Sequence, residues 1–198
     1  QISPLVFQGF GMIRKHLKQR HLDVDMYHSH VDDEADKVTF WLADDRLRLA
    51  GILQYYPNGS KDTTDSNSKY FSKSSKEGMV PLFGMETFHW SPEVIFLSEG
   101  AFDAIRLANR GYTSLAMLSS NVHKRTRNWI TSRGRRTILV RDNDHLLEST
   151  KRERDHIKNF VDDIYIPAAE DMAAMTEDEI DHMLAVLGLP RYNEHPKT

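Results

Sequence analysis

The amino-acid sequence predicts an α/β protein whose second half is a parallel sheet of four strands flanked by helices. Two observations favour this fold class. After Ser91, four apolar segments with the spacing of buried strands alternate with four segments of helical pattern, which is typical of right-handed strand–helix–strand crossovers. Glycines follow three of the helical patterns, at Gly111, Gly134 and Gly188, where helices commonly end.

The elements of this second half follow in a regular order. Strands are predicted over EVIFLSE, TSLAML, RTILVRD and DDIYIP, and helices over FDAIRLANRG, HKRTRNWITSRG, LLESTKRERDHIKNF and TEDEIDHMLAVLG. Thr176 precedes the last helix and acids fill its first turn, an arrangement that stabilises a helix N-terminus. We therefore place one domain over residues 91–190, followed by a C-terminal tail over 191–198.

Residues 1–90 are predicted to form a smaller α+β subdomain. Residues 11–20 have the pattern of a short helix, and KVTFWLA and RLRLAGILQYY are predicted strands with Asp44 and Asp45 in the turn between them. Residues 57–78 are rich in Ser, Asn, Asp, Lys and Gly. This composition predicts a long exposed loop or a pair of strands with mobile connections.

Composition excludes several classes of protein. The 198-residue chain has no cysteine, which excludes disulfides, thiol nucleophiles and cysteine-ligated zinc. The formal net charge is -3, so only a local basic patch would attract nucleic acid. No apolar run approaches the roughly 18 residues that cross a bilayer, and we expect no membrane partner.

Acidic residues follow two of the predicted strands. Glu99 ends the first strand, with Gly100 directly behind it, and Asp142 and Asp144 follow the third. If these strands are neighbours, the three carboxylates meet at the sheet edge where open α/β sheets bind ligands. Their mutual repulsion then favours a bound cation, and carboxylates with water suit Mg²⁺ or Mn²⁺. Capping of helices is the alternative role for any one of them.

The segments VIFLSEGAFDAI and TILVRDND resemble the TOPRIM domain, the metal-binding module of DnaG-type primases, type IA and II topoisomerases, OLD-family nucleases and RecR-like proteins. The resemblance covers residues 91–190 and implies a Rossmann-like parallel four-stranded sheet. It implies that Glu99, Asp142 and Asp144 are catalytic and hold the metal. Asp103 and Asp171 are possible additional acids of the same cluster.

The segment before this domain resembles the N-terminal subdomain of a DnaG-type primase core, through LAGILQYYPNG, SKYFSKSSKEG and PLFGME. Lys69 and Tyr70 match a Lys-Tyr pair that this family associates with nucleotide or primer phosphates. The resemblance implies a nucleotidyltransferase that makes short RNA primers on single-stranded DNA, using Mg²⁺ or Mn²⁺ and no zinc. The partners it implies are template DNA, NTPs, the RNA primer and a replicative helicase, in the cytoplasm of a bacterium or phage-infected host.

Basic residues are concentrated around the second helix of the predicted parallel domain, in HKRTRNW and RGRR. We call the five arginines of these segments the basic island, and predict that they contact the nucleic-acid backbone: Arg125, Arg127, Arg133, Arg135 and Arg136. A solvated helix face is the alternative interpretation.

Two other functions stay open. A nuclease could use the same three acids on a phosphodiester, and a non-catalytic TOPRIM module could bind nucleic acid or a replication partner. The Lys-Tyr segment favours primer synthesis, and the presence of all three acids argues against the non-catalytic module.

Two weaker features are interpreted structurally. His28, His30, Asp32 and Asp33 have the spacing of metal ligands, but a solvated loop is the better interpretation because no second ligand group is nearby. The tryptophans, Trp41, Trp90 and Trp129, are expected to pack within or between subdomains rather than to stack on bases.

Overall fold

The computed structural model describes residues 12–60, 67–74, 81–118, 123–143 and 160–190. Its helices and strands, in chain order, are α1 (Met12–Gln19), β1 (Ser29–Asp32), β2 (Lys37–Ala43), β3 (Leu49–Tyr55), β4 (Tyr70–Ser74), β5 (Val94–Ser98), α2 (Ala101–Ala108), β6 (Thr113–Ala116), α3 (Lys124–Thr131), β7 (Arg136–Val140), β8 (Asp163–Tyr165) and α4 (Glu177–Val186). Single-turn 3-10 helices lie at Val24–Met26, Met85–Thr87 and Met172–Ala174. In these residues we find no helix with the length and hydropathy needed to span a bilayer.

The chain divides into two compact units, residues 1–81 and 82–198. The first contains an antiparallel sheet in the order β1-β2-β3-β4. Alternate residues of β2 and β3 are buried on one face because side chains alternate along a strand, and these are Val38, Phe40, Leu42, Leu53 and Tyr55. Helix α1 adds the buried side chains of Ile13 and Leu17, which lie on one helix face because they are four residues apart.

The helices and strands of the first unit agree in part with those predicted from the sequence. The predicted helix and the two predicted strands correspond to α1, β2 and β3. The polar stretch 57–78 holds β4, which pairs with β3, so the strand alternative is the better one there. The predicted loop over MYHSHVDDEAD is wrong at Ser29–Asp32, which form β1 and pair with β2.

The second unit contains the predicted parallel sheet, in the order β6-β5-β7-β8. Every residue of β5 and β6 is buried, as expected for parallel strands covered on both faces. The glycines after α2, α3 and α4 have φ of 81°, 64° and 70°, the left-handed conformation that ends helices. The predicted helix LLESTKRERDHIKNF lies outside the described residues apart from Phe160.

The segment before β5 belongs to the second unit, so the chain divides at residue 81 and the predicted boundary at residue 90 falls inside that unit. Phe83 and Ala116 exchange two backbone hydrogen bonds of 3.2 and 3.1 Å. The hydroxyl of Thr87 accepts from the amide of Ser114 at 2.9 Å. These bonds attach residues 82–88 to β6, the edge strand of the parallel sheet.

Candidate active site

The two strands that carry the acidic motifs are neighbours. β5 and β7 pair in parallel, with Leu97 opposite Leu139, so both strands end at the same edge. Glu99 follows β5 directly, and Asp142 follows β7 after one residue. The amide of Leu118 donates to the carbonyl of Glu99 at 3.0 Å, which holds the backbone of Glu99 in place beyond the strand. The condition set for the acids to meet at one edge, that the two acid-bearing strands are neighbours, is therefore met.

Arg141 lies between the end of β7 and Asp142, and its side chain contacts Glu99. Its Nε is 3.3 Å from Oε1 of Glu99, and the two side chains are 6% and 13% exposed. The amide of Arg141 donates to the carbonyl of Tyr165 at 3.0 Å, which continues the pairing of β7 with β8. A buried cation therefore offsets part of the negative charge at this edge, a role that the sequence interpretation missed.

The residues after Arg141 connect β7 to the segment that follows β8. The amide of Asn143 donates to the carbonyl of Glu170 at 2.9 Å, and its side-chain Nδ2 donates to the carbonyl of Ala168 at 3.2 Å. Asp142 is half-buried beside it. This loop is thus held from both sides, which limits the positions that the Asp142 carboxylate can take.

The donor set at this edge fits a hard divalent cation by its chemistry. Glu99 and Asp142 offer carboxylate oxygens, the ligands that Mg²⁺ prefers in proteins. Within the described ranges, no three acidic or histidine side chains form a group that could hold a metal ion. Asp144, the third predicted ligand, lies outside those ranges. The site of three acids stays a prediction.

The two additional acids of the predicted cluster have backbone partners. Asp103 is 6% exposed and its Oδ1 accepts from the amide of Ala173 at 2.9 Å. Oδ1 of Asp171 accepts from the amide of Ala174 at 2.7 Å. Both carboxylates therefore fasten the 3-10 helix Met172–Ala174, which is the capping role that we kept as the alternative for such acids.

The close approach of Asp103 also explains the glycine after Glu99. A Cβ atom at Gly100 would lie 2.6 Å from Oδ2 of Asp103, which is closer than van der Waals contact allows. Any larger residue at position 100 would push the Asp103 carboxylate away from the place where it accepts from the amide of Ala173.

The predicted nucleotide-binding pair lies in the first unit, within a cluster of rings. Nζ of Lys69 is 5.6 Å from the centroid of the Tyr55 ring, and the Tyr70 ring is 5.1 Å from the same ring. Nε2 of His16 is 2.8 Å from the Tyr55 hydroxyl oxygen. Burial lowers the pKa of His16, and the charges of Arg20 and Lys69 lower it further. The cluster therefore holds a lysine beside a histidine that stays uncharged at neutral pH.

Two arginines of the basic island pack on aromatic rings of the second unit. The guanidinium of Arg133 lies 5.0 Å from the Trp129 ring. That of Arg135 lies 4.5 Å from the Phe88 ring, and its Nη1 donates to the carbonyl of Phe88 at 2.7 Å. Trp129 is 9% exposed, as expected for a packing tryptophan. Arg133 and Arg135 thus cover this aromatic pair.

The other members of the island divide into two groups. Nε of Arg136 donates to Asp163 at 2.8 Å, and its Nη1 donates to the carbonyl of Leu187 at 2.8 Å. These bonds join β7 to β8 and to the end of α4. Arg125 is exposed and Arg127 is half-buried on α3. Whether any of the five contacts nucleic acid stays a prediction, but Arg136 has a structural role.

The histidine and acid group of the first unit lies on β1 and just after it. Oδ2 of Asp33 accepts from Nε of Arg14 at 3.0 Å, and Oδ2 of Asp32 is 3.9 Å from Nζ of Lys37. Each acid therefore has a basic partner within the sheet unit.

Two buried arginines escaped the sequence interpretation. Arg106 of α2 and Arg110, two residues beyond the end of that helix, both pair with Glu177, the first residue of α4, at 2.7 and 2.5 Å. Nη2 of Arg106 also donates to the carbonyl of Met175 at 2.6 Å, and Nη2 of Arg110 reaches Asp181 at 3.0 Å. The signal was two arginines four residues apart in the predicted helix FDAIRLANRG, a spacing that places both on one helix face.

The fold of this chain is similar to the folds of solved primase structures. No protein-family model and no curated protein sequence matches the chain. The Aquifex aeolicus primase (zinc-binding and RNA polymerase domains) has a TM-score of 0.61 at 16% identity, and the match covers 88% of this chain and 54% of that one. This chain thus spans about half of that protein.

Two further structures are similar. The DnaG primase catalytic domain bound to ssDNA has a TM-score of 0.60 at 15% identity, with 91% of this chain and 75% of that one covered. The primase fragment of the bacteriophage T7 primase-helicase protein has a TM-score of 0.54 at 12% identity, with 87% and 68% covered. The predicted similarity to DnaG-type primase cores is confirmed for the fold, including the parallel four-stranded sheet.

Proposed function

We propose that this chain is a metal-dependent nucleotidyltransferase of the primase type, which makes short RNA primers on single-stranded DNA. The observation that carries the proposal is the pairing of β5 with β7, because it brings Glu99 and Asp142 to one edge of a sheet. The fold also supports the proposal. The similarity to the DnaG catalytic domain covers 91% of this chain, and the similarity to the phage T7 primase fragment covers 87% of it.

The proposed roles follow from the chemistry of each side chain. Glu99, Asp142 and Asp144 would hold Mg²⁺ or Mn²⁺, which neutralises an incoming triphosphate and lowers the pKa of a primer 3′-hydroxyl. Arg141 keeps the Glu99 carboxylate oriented through their ion pair. Lys69 would bind phosphate as a point charge, and its position over the Tyr55 ring limits the directions that its ammonium can take.

The test is a primer-synthesis assay. The protein is incubated with labelled NTPs, single-stranded DNA and either Mg²⁺ or Mn²⁺, and the products are separated by size. We expect short oligoribonucleotides that require both the template and the metal. The same reaction with labelled DNA and no NTPs tests the nuclease alternative. Metal-dependent degradation of that strand without synthesis would contradict the proposal and support a nuclease.

A matched pair of variants makes the result specific to the proposed site. Asp142→Asn should abolish synthesis, whereas Asp45→Asn, which changes an exposed acid in the turn before β3, should leave it unchanged. Equal loss in both variants would indicate a general effect on the protein rather than a role for Asp142.

A further inference from the structure

The antiparallel sheet of the first unit has a second face, on the side opposite its buried core residues. Strand register places Trp41, Ile52 and Lys73 in one row across β2, β3 and β4. The next row contains Thr39, Gln54 and Phe71. We call these six residues the open face.

Two large aromatic side chains on the open face are exposed. Trp41 is 42% exposed and Phe71 is 48% exposed, and neither ring contacts another ring among the residues that the structure describes. Of the two kinds of packing expected for Trp41, within or between subdomains, packing in the core of this unit does not apply, because its neighbours Phe40 and Leu42 face the core instead. Since neighbouring strands lie about 4.8 Å apart, β2 and β4, which carry the two rings in adjacent rows, run about 10 Å apart across the sheet.

The polar groups between the rings are ordered by hydrogen bonds. Nε2 of Gln54 donates to the hydroxyl of Thr39 at 3.2 Å, and the hydroxyl of Tyr56 donates to Oε1 of Gln54 at 3.2 Å. Gln54 is half-buried beside the exposed Phe71. On β3, between the strands that carry the rings, Ile52 lies beside this oriented amide, so the apolar surface of the open face is interrupted by polar groups.

The charge of the open face is opposite to that of the chain. The chain has 29 acidic residues and a formal net charge of -3, yet neither row of the open face contains a carboxylate. Lys73 is exposed and makes no ion pair with any residue in the described ranges. His30 extends the second row next to Thr39. An anionic ligand is therefore favoured over a cationic one.

We propose that the open face binds single-stranded nucleic acid, with bases stacked on Trp41 and Phe71 and a phosphate held by Lys73. Unpaired bases stack on exposed aromatic rings of a sheet, and lysines beside the rings neutralise the backbone. A duplex cannot bind in this way because its bases are paired inside. Two rings separated by polar groups also make a small apolar area for a protein partner.

This proposal goes beyond the proposed function and does not depend on it. Binding at the open face needs neither a metal nor the acids Glu99 and Asp142. It would persist if the chain proved to make no primers.

The experiment measures binding of labelled oligonucleotides to the 198-residue chain by fluorescence anisotropy, in EDTA and without NTPs. Oligothymidylate and oligouridylate are compared, and a preference between them distinguishes DNA from RNA as the natural ligand. The variant Trp41→Ala/Phe71→Ala should bind at least about 25-fold more weakly, since each base–aromatic stack contributes about fivefold or more. Val186→Ala, which removes a side chain that is 67% exposed on α4, should bind as the wild type does.

Three further arms make the test specific. Trp41→Leu/Phe71→Leu keeps apolar side chains and removes the rings, so the same loss of affinity in this variant assigns the effect to stacking. A strand of equal length without bases should bind weakly and equally to the wild type and the double variants. Lys73→Ala should reduce the dependence of log K on log salt by about 0.7.

Several results would overturn the proposal. One is a wild-type protein that binds no single strand, and another is a folded double variant, checked by circular dichroism, with unchanged affinity. Wild-type binding that is as tight to the strand without bases would exclude stacking. If the wild type is a dimer by ultracentrifugation and the alanine variant is a monomer, the open face is instead an interface between two copies.

Discussion

Glu99 and Arg141 form an ion pair across the ends of two adjacent strands, with 3.3 Å between Oε1 and Nε. Both side chains are largely buried, at 13% and 6% exposure. Arg141 pairs with Glu99 and directly precedes Asp142 in the chain. A cation bound by Glu99 and Asp142 therefore has to share the Glu99 carboxylate with this arginine or displace it. The pair therefore links the stability of the protein to the occupancy of the proposed metal site.

Replacement of Arg141 tests this link. Arg141→Gln should lower the free energy of unfolding by about 3 kcal/mol without metal, because it removes the cation that pairs with a largely buried carboxylate. Mn²⁺ should then restore more stability to the variant than it adds to the wild type. Thermal unfolding with and without Mn²⁺ measures both effects. Arg14→Gln is the control, since it removes an exposed ion pair and should cost less than about 1 kcal/mol. Equal metal-induced stabilisation in Arg141→Gln and wild type would contradict the link.

Asp142 is expected to matter for catalysis and little for folding. Asp142→Asn should reduce primer synthesis by more than about 100-fold, because even the outer-shell partners of metal ligands contribute 10- to 100-fold. The thermal midpoint in EDTA should be unchanged or higher, since the substitution relieves repulsion between carboxylates. Wild-type turnover in Mg²⁺ would remove Asp142 from the site.

Lys69 and Lys73 should act on different ligands although they are four residues apart. Lys69→Ala should weaken NTP binding by about 1.5–3 kcal/mol, the typical contribution of a hydrogen bond to a charged group. Lys73→Ala should leave NTP affinity unchanged and affect single-strand binding. Titration calorimetry at low salt with both variants measures the difference. If the two variants lose NTP affinity equally, a diffuse positive field is the explanation and not a specific contact of Lys69.

His16 should make the stability of the first unit depend on pH. Its pKa is lowered in the folded protein, first by burial and then by Arg20 and Lys69, so the unfolded chain binds more protons at acidic pH. The contribution of His16 is therefore complete above its ordinary pKa of about 6.5 and declines as the pH falls below that value. His16→Gln should flatten the fall of the thermal midpoint over this range. An identical pH profile in the variant would exclude His16 as the cause.

The basic island should separate into structural and binding members. Arg136→Ala should lower the free energy of unfolding by about 1–3 kcal/mol, because it removes bonds to Asp163 and to the Leu187 carbonyl. Arg125→Ala should change stability by less than about 0.5 kcal/mol and reduce the salt dependence of single-strand binding by about 0.7 if it contacts phosphate. An unchanged salt dependence in Arg125→Ala would favour the solvated-face interpretation.

Local patterns were sufficient to predict the parallel sheet. β5 and β7 are short apolar runs in which every position but Arg136 is buried, and α4 has a capping box between Thr176 and Glu179. β1 was missed because it contains no buried residue, so its sequence SHVD has no apolar alternation to detect.

The contacts of individual charged and aromatic residues could not be predicted in the same way. The partner of Arg141 depends on which strand lies next to β7, and the partners of Arg106 and Arg110 lie about 70 residues away on an element whose packing the periodicity does not specify. The exposure of Trp41 depends on which face of β2 meets the core, because a shift of one residue exchanges the two faces.

The joint binding of Glu177 by Arg106 and Arg110 has a consequence for the order in which the chain folds during synthesis. α2 and the turn that follows it emerge from the ribosome about 70 residues before the carboxylate that neutralises the buried side chains of Arg106 and Arg110. Until then, burial of α2 against the sheet would enclose two unpaired positive charges, which is strongly unfavourable. The nascent second unit should therefore stay incompletely folded until α4 is translated, and complete its core in one late step.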